Sequence, residues 1–385
     1  MSSQRIRVLK FGSSVLSSRR DISQALHEIY RELRDGVRVV AVVSALGRTT
    51  NRLLASARRT GPRPDPAALA LLLATGEAQS VALLALALER AGISAEVLDP
   101  AQIGLRTRGP LLDADPIDLD VEVVRNALRE KAVVVIPGFV GRDAQGRTSL
   151  LGRGGSDLSA LFLAQRLGAG CRLIKDVPGV FDRDPAQDAG AARRFAVLAW
   201  EDAIAVGGRI VQEKALRFAR EQGLEFEVGA LESTDTTLIG RGPSRFAPPG
   251  ASTKKLRVAL LGLGTVGLGV YRELARFPDR FEVVDVLVRR TGSSRPPGIP
   301  SELITTDAKA LRSRECDVVV EVLGGDEPAG GLIEGALRRG IDVVSANKGL
   351  IVTRGAEFRA AGSILFDARA RPRPRIDPES APARG

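Results

Sequence analysis

Apolar, β-branched runs alternate along the chain with stretches whose apolar positions recur every three to four residues. The runs at 5–11, 37–43, 133–137, 171–175, 258–261, 283–288, 317–322 and 342–345 predict buried strands. The stretches at 21–33, 65–91, 157–167 and 200–221 predict helices. In the first of these, Ile22, Leu26, Ile29 and Leu33 form the apolar stripe, and Asp21 with Gln24 predicts a capping box. Strand–helix alternation of this kind implies α/β architecture with mostly parallel sheets. It breaks at 241–255, RGPSRFAPPGASTKK, where prolines and glycines replace apolar residues and a fresh strand follows. We therefore expect a domain over 1–240, a linker over 241–255 and a second domain over 256–367. The tail 368–385 has four prolines, five arginines and one aliphatic residue beyond alanine, Ile376, so it is expected to be disordered.

Composition narrows the function. The 385 residues are 44% apolar and 26% charged, enough for substantial cores. No apolar run reaches the roughly 18 residues that span a bilayer, so no membrane association is expected. Residues 1–10 lack a signal-peptide core, which predicts a cytoplasmic protein. With one histidine, His27, and two separated cysteines, Cys171 and Cys316, a His/Cys metal site or a Ser-His-Asp triad is excluded. His27 is expected on the surface. The net charge of +10 does not predict nucleic-acid binding. Only eight of the 56 basic residues are lysine, the arginines are spread along the whole chain, and aromatics make up 4%.

Three motifs in the first domain carry candidate chemistry. Lys10-Phe11-Gly12-Ser13-Ser14 closes the first strand, where backbone N–H groups and an ammonium can meet phosphate. Gly152-Arg153-Gly154-Gly155-Ser156-Asp157 opens a helix, where glycines let the backbone approach an anion and Arg153 can grip a carboxylate. Asp157 also fits a plain helix N-cap, a reading that the two adjacent glycines between Arg153 and Asp157 disfavour. Lys175-Asp176-Val177-Pro178-Gly179-Val180-Phe181, with Asp184-Pro185, ends a strand at the sheet edge where α/β folds bind ligands. Alone it is an ordinary turn.

Together, KFGSS, VVSALGRTTNRLL, the pair Gly76-Glu77, PGFVGRDAQGRTSLLGRGGSDLSA and KDVPGVFDRDP resemble aspartokinase, a member of the amino-acid kinase superfamily, over about 4–240. The resemblance implies a three-layer αβα sandwich and phosphoryl transfer from MgATP to the β-carboxylate of L-aspartate. It makes Lys10 and Asp157 catalytic. It gives Arg153 the substrate α-carboxylate and Glu77 its ammonium, with Ser44, Thr50, Phe139 and Ser156 lining the pocket. Gly12, Ser13, Lys175, Asp176, Phe181 and Arg209 would face ATP. The chain departs from the usual pattern at Ser13, Ser14 and Val15, at Lys175 and Phe181, at Ala186 and at Arg209.

The second domain opens with an apolar strand, then Gly262-Leu263-Gly264-Thr265-Val266-Gly267, then a helical pattern through Leu274. This is the dinucleotide fingerprint G-x-G-x-x-G in its proper context. Arg289-Arg290 end the next strand, where an acid favours NAD and an arginine suits the 2′-phosphate of NADP. With 317–325 and the stretch Val343 to Lys348, the region resembles the N-terminal part of homoserine dehydrogenase over about 256–370. That resemblance places Lys348 near the nicotinamide as a candidate catalytic group. The order of the halves resembles bifunctional aspartokinase–homoserine dehydrogenase, in threonine, methionine and lysine biosynthesis. Relative to that pattern, we expect a protein without ACT domains between the halves and with the dehydrogenase cut short of its substrate domain. The expected protein is an aspartate kinase using ATP and Mg²⁺, fused to a truncated NAD(P)-binding domain, a homo-oligomer with small-molecule partners. The alternatives are a catalytically decayed scaffold and a kinase of another carboxylate acceptor.

Overall fold

The computed structural model describes residues 5–18, 21–61, 63–185, 192–206, 210–231, 233–248, 255–278, 280–289, 299–308, 316–362 and 364–366. They fall into two compact units, Met1–Ala251 and Ser252–Gly385. Ala186, Arg209, Arg290 and the tail 368–385 lie outside the described residues, as does most of 249–255.

In the first unit the strands are β1 (Ile6–Phe11), β2 (Arg38–Val43), β3 (Ala95–Val97), β4 (Arg106–Arg108), β5 (Asp115–Asp118), β6 (Val133–Pro137), β7 (Val140–Arg142), β8 (Thr148–Leu150), β9 (Gly170–Lys175), β10 (Phe195–Ala199), β11 (Phe226–Ala230), β12 (Thr236–Gly240) and β13 (Arg245–Phe246). The helices are α1 (Ile22–Arg34), α2 (Thr49–Thr60), α3 (Pro66–Arg90), α4 (Val121–Glu130), α5 (Gly155–Leu167), α6 (Trp200–Ala205) and α7 (Glu213–Glu221). Nine strands form the main sheet in the order β13-β10-β12-β11-β9-β1-β2-β6-β3. Its centre, from β11 through β9, β1, β2 and β6 to β3, is parallel. A smaller sheet has the order β5-β4-β7-β8.

Because side chains alternate across a strand, each central strand feeds two cores. Val8 of β1 and Leu173 of β9 join one core with Leu161 of α5 and Leu216 of α7. Leu9 and Phe11 join the other with Ile29 of α1 and Leu84 of α3. Helices therefore cover both faces, giving the expected three-layer sandwich.

Several local readings are corrected. The helix expected over 200–221 is two, α6 and α7. Gly207-Gly208, between them in sequence, favours helix poorly. Asp21 forms no side-chain cap on α1; its carboxylate instead accepts from the Ser17 hydroxyl at 2.6 Å and the Ser18 N–H at 2.8 Å. Part of the stretch expected as linker is strand β13, paired antiparallel with β10, with Phe246 stacked on Phe195 at 4.4 Å. Contrary to expectation, α3 is long and apolar enough to cross a bilayer, with mean hydropathy 1.7 over an 18-residue window. Its composition has a local cause. Leu69 and Leu73 pack under α2, Val81, Leu84 and Leu88 pack on the main sheet, and Asp65 caps it from Ala68 N–H at 2.8 Å.

The second unit is a parallel sheet of β14 (Leu256–Leu261), β15 (Phe281–Leu287), β16 (Ile304–Thr305), β17 (Val318–Glu321), β18 (Asp342–Ser345) and β19 (Ile364–Phe366). Their order is β16-β15-β14-β17-β18-β19, the doubly wound dinucleotide arrangement in which strand order reverses beside the first strand. Its helices are α8 (Thr265–Ala275), α9 (Ala329–Leu337) and α10 (Lys348–Ala361). The core joins Leu261, Val319, Ile333, Val343 and Phe358.

Candidate active site

A cleft of about 1120 Å³ opens along the carboxyl edge of the first unit's sheet. Parallel strands leave their ends there: Lys10 from β1, Ser44 beyond β2, Phe139 beyond β6 and Lys175 from β9 all line it. Strand alternation decides which way the lysines point. Lys10 shares the parity of Val8, and Lys175 that of Cys171 and Leu173, so both ammoniums face α5.

Between them stands Asp157, 3% exposed. Lys10 Nζ lies 2.7 Å from Asp157 Oδ1 and Lys175 Nζ lies 2.7 Å from Asp157 Oδ2. Burial would raise the Asp157 pKa, but the two ammoniums outweigh it and hold the carboxyl below its ordinary value. Burial and the neighbouring Lys10 push Lys175 down. Asp157 is not a helix cap. Gly154 takes the N-cap position of α5 with φ 75°, which leaves Asp157 in the first turn to serve the cleft.

At the other end lies Glu77 on α3, 3% exposed. Its Oε1 accepts from the Ala45 N–H at 3.2 Å. Its Oε2 is buried with no hydrogen-bond partner among the described residues. Burial raises its pKa from 4.5 to about 7. Arg153, exposed on the same cleft, pairs with no carboxylate among the described residues. A buried carboxylate oxygen and a free guanidinium in one cavity suit a ligand with both ammonium and carboxylate.

The turn that carries Arg153 is tightly held. A Cβ on Gly152 (φ 74°) would sit 2.0 Å from Asp113 Oδ1, and one on Gly154 would sit 2.4 Å from Gln212 Cβ. Lys214 of α7 bonds Asp113 Oδ1 at 2.8 Å, the Ala114 carbonyl at 3.0 Å and the Leu151 carbonyl at 3.2 Å. It ties the turn to α7.

In the second unit each fingerprint glycine has a separate reason. Gly262 turns with φ 107°, and a Cβ there would meet Val322 O at 2.9 Å. A Cβ on Gly264 would meet nothing within 4 Å, which leaves that backbone open to a ligand. A Cβ on Gly267 would sit 2.1 Å from Gly262 O, so only glycine lets α8 pack on the loop. Thr265 and Val266 form the exposed first turn of α8. Arg289, just beyond β15, donates to the Gly324 carbonyl at 3.4 Å. Lys348 begins α10 and is exposed. The preceding Asn347 caps that helix at Leu350 N–H, 3.3 Å.

Every described kinase-site candidate lines the one cleft: Lys10, Gly12, Ser13, Ser44, Thr50, Glu77, Phe139, Arg153, Ser156, Asp157, Lys175, Asp176 and Phe181. Sequence reasoning missed Asn51 and the apolar wall of Leu54, Leu69, Leu73 and Leu112. Leu69, Leu73 and Glu77 recur every four residues, a spacing legible as one helix face. It also missed Lys214, whose role depends on a contact about a hundred residues away in the chain. His27 is exposed, as expected.

Residues 5–228 match the amino acid kinase family, and residues 262–363 match the NAD binding domain of homoserine dehydrogenase. An aspartokinase of Thermus thermophilus is 36% identical over 225 residues, covering 57% of this chain and 55% of its own. A crystal structure of aspartate kinase from Synechocystis aligns with TM-score 0.54 and 31% identity, over 62% of this chain and 40% of its own. Aspartokinase III of E. coli, solved with lysine and aspartate, aligns with TM-score 0.54 at 24% identity, covering 62% of this chain and 65% of its own, a likeness of fold. The chain spans about half the length of the curated relatives it matches.

Proposed function

The chain belongs to the amino acid kinase family, and from that premise we propose that it transfers the γ-phosphoryl group of ATP to the β-carboxylate of L-aspartate. The observation that carries this reading is the pairing, in one cleft, of a lysine-bracketed aspartate with a buried, unpartnered carboxylate oxygen on Glu77. The first suits a phosphoryl group. The second suits an amine.

Aspartate enters with its ammonium on Glu77 Oε2 and its α-carboxylate on Arg153. Its β-carboxylate then points at Lys10. A β-carboxylate oxygen bonds to Pγ while the bond from Pγ to the β,γ-bridging oxygen breaks, and ADP leaves with that electron pair. Such a reaction needs positioning and charge neutralisation more than covalent catalysis. Lys10 neutralises the transferring group, Asp157 fixes Lys10, and Ser44, Thr50, Phe139 and Ser156 close the pocket. Gly12, Ser13, Asp176 and Phe181 face the nucleotide. No group of three or more His, Cys, Asp or Glu side chains that could hold a metal occurs among the described residues. Mg²⁺ therefore fits here as a companion of the ATP phosphates and water.

The second unit binds NADP, with pyrophosphate over Gly264 and Arg289 toward the 2′-phosphate. The open backbone at Gly264 supports this reading. The nicotinamide, when bound, supplies hydride chemistry. By the resemblance, Lys348, exposed at the start of α10, is the candidate catalytic group for that step. The working form is a cytoplasmic homo-oligomer.

The test is hydroxamate formation by the purified chain with MgATP, L-aspartate and hydroxylamine. We expect aspartyl hydroxamate from the wild type and none from D157A. Folded wild type that makes none would favour the decayed scaffold. Equal turnover with an acceptor lacking the amine would favour another carboxylate substrate.

A further inference from the structure

Phe139 stands between β6 and β7 with φ 70°, the one positive φ on a non-glycine residue among the described residues. A side chain there crowds its own backbone, so the conformation persists only where neighbours impose it. The Phe139 carbonyl accepts from the Leu151 N–H at 2.8 Å. The Phe139 N–H donates to the Ser159 hydroxyl at 2.9 Å, and that hydroxyl donates in turn to the Gly155 carbonyl at 2.9 Å. A serine within a helix commonly bonds the carbonyl four residues before it. The bond from Phe139, 20 positions away in the chain, has no such local origin. Ser159 is 1% exposed, and without its hydroxyl the Phe139 N–H loses its partner. The turn is also tightly packed. A Cβ on Gly138 would lie 2.8 Å from Ser156 Cβ, and one on Gly155 would lie 2.8 Å from Phe139 Cδ2. The ring therefore rests on the first turn of α5, beside Ser156 and Asp157. It also packs with Leu69 and Leu73, which precede Glu77 on one face of α3.

We propose that Ser159 is a positioning residue for the acceptor: by holding Phe139 in its left-handed conformation, it fixes the wall against which the amino dicarboxylate is seated. The proposal rests on the aspartate kinase reading above and deepens it. Ser159 is not among the residues lining the cleft, so it acts through Phe139 and not on the substrate. The pair serves the acceptor end, where Glu77 lies, whereas Asp176 and Phe181 belong to the separate turn beyond β9.

The test measures the KM for L-aspartate and the KM for MgATP separately, on the full chain, by hydroxamate formation. Ser159→Ala should raise the aspartate KM by about tenfold and change the ATP KM by less than about twofold. Ser159→Thr keeps the hydroxyl and should bring the aspartate KM back to within about twofold of wild type. Phe139→Gly takes the same φ without strain but loses the wall, so it should raise the aspartate KM by itself. Adding Ser159→Ala to Phe139→Gly should raise it no further, since Ser159 acts through Phe139. Folded S159A with wild-type KM values would overturn the proposal. So would an equal rise in both KM values, or an effect of S159A as large in the F139G background as in wild type, the marks of a merely structural serine. Should S159A not fold, Ser159→Cys keeps the size and weakens both bonds; a raised aspartate KM there supports the proposal and an unchanged one overturns it. Folded wild type that makes no hydroxamate would instead overturn the kinase reading, and this proposal with it.

Discussion

Lys10 at the end of β1 and Asp157 in the first turn of α5 meet at 2.7 Å, although 147 positions separate them in the chain. Each alone is unremarkable: a lysine at a strand's end and an acid near a helix start. Together, buried, they fix an ammonium at the sheet edge, where the proposed reaction would bring a phosphoryl group.

Asp157→Asn keeps the shape of the side chain and removes the charge. We expect kcat to fall about a hundredfold or more, because neither lysine is then aimed. Stability should fall by about 3 kcal/mol, since two buried ammoniums lose their counter-ion. Initial rates and chemical denaturation measure the two effects. Full activity in folded D157N would remove Asp157 from the mechanism.

Glu77 links the site to pH. Burial raises its pKa from 4.5 to about 7. The folded form therefore holds a proton that the unfolded chain has released, and this group's contribution to stability declines as pH rises from 4.5 to about 7. The cost at neutral pH is about 3 kcal/mol, removed when a cationic amine binds. Acceptor binding should then release a proton below pH 7, so KM for aspartate should rise as pH falls from 7 to 6. In Glu77→Gln the KM should be high and flat with pH.

Lys214→Met unties the glycine turn from α7. Lys214 reaches two backbone carbonyls beside that turn, yet its side chain is 28% exposed. We expect a stability loss of only about 1 kcal/mol, with a several-fold rise in KM for the acceptor because Arg153 loses its anchor. ADP affinity should hold. A fall in kcat alone would contradict this account.

The fingerprint glycines separate folding from binding. Gly267→Ala drives a Cβ to 2.1 Å from Gly262 O and should cost about 1–3 kcal/mol. Gly264→Ala meets no protein atom within 4 Å and should leave the melting temperature unchanged while abolishing NADPH binding. Fluorescence titration and thermal unfolding distinguish them. Tight NADPH binding by G264A would refute the pyrophosphate placement.

Apolar, β-branched runs such as Ile6–Phe11 and Val133–Pro137 announced buried parallel strands, because a strand covered on both faces must be largely apolar rather than alternating. Gly152 to Asp157 and Gly262 to Gly267 were legible because glycine is demanded wherever a backbone must turn or come close. The motifs at Lys10, Glu77, Asp157 and Lys175 could be read one by one. What the chain order did not contain was their convergence. Strand parity aimed both lysines at α5, helix packing buried Glu77 against the Ala45 N–H, and a contact from α7 fixed the turn at Arg153. The split of α6 from α7 and the strand within the expected linker escaped for the same reason. Local propensity is a property of neighbours in sequence, whereas burial, pairing and charge balance belong to neighbours in space.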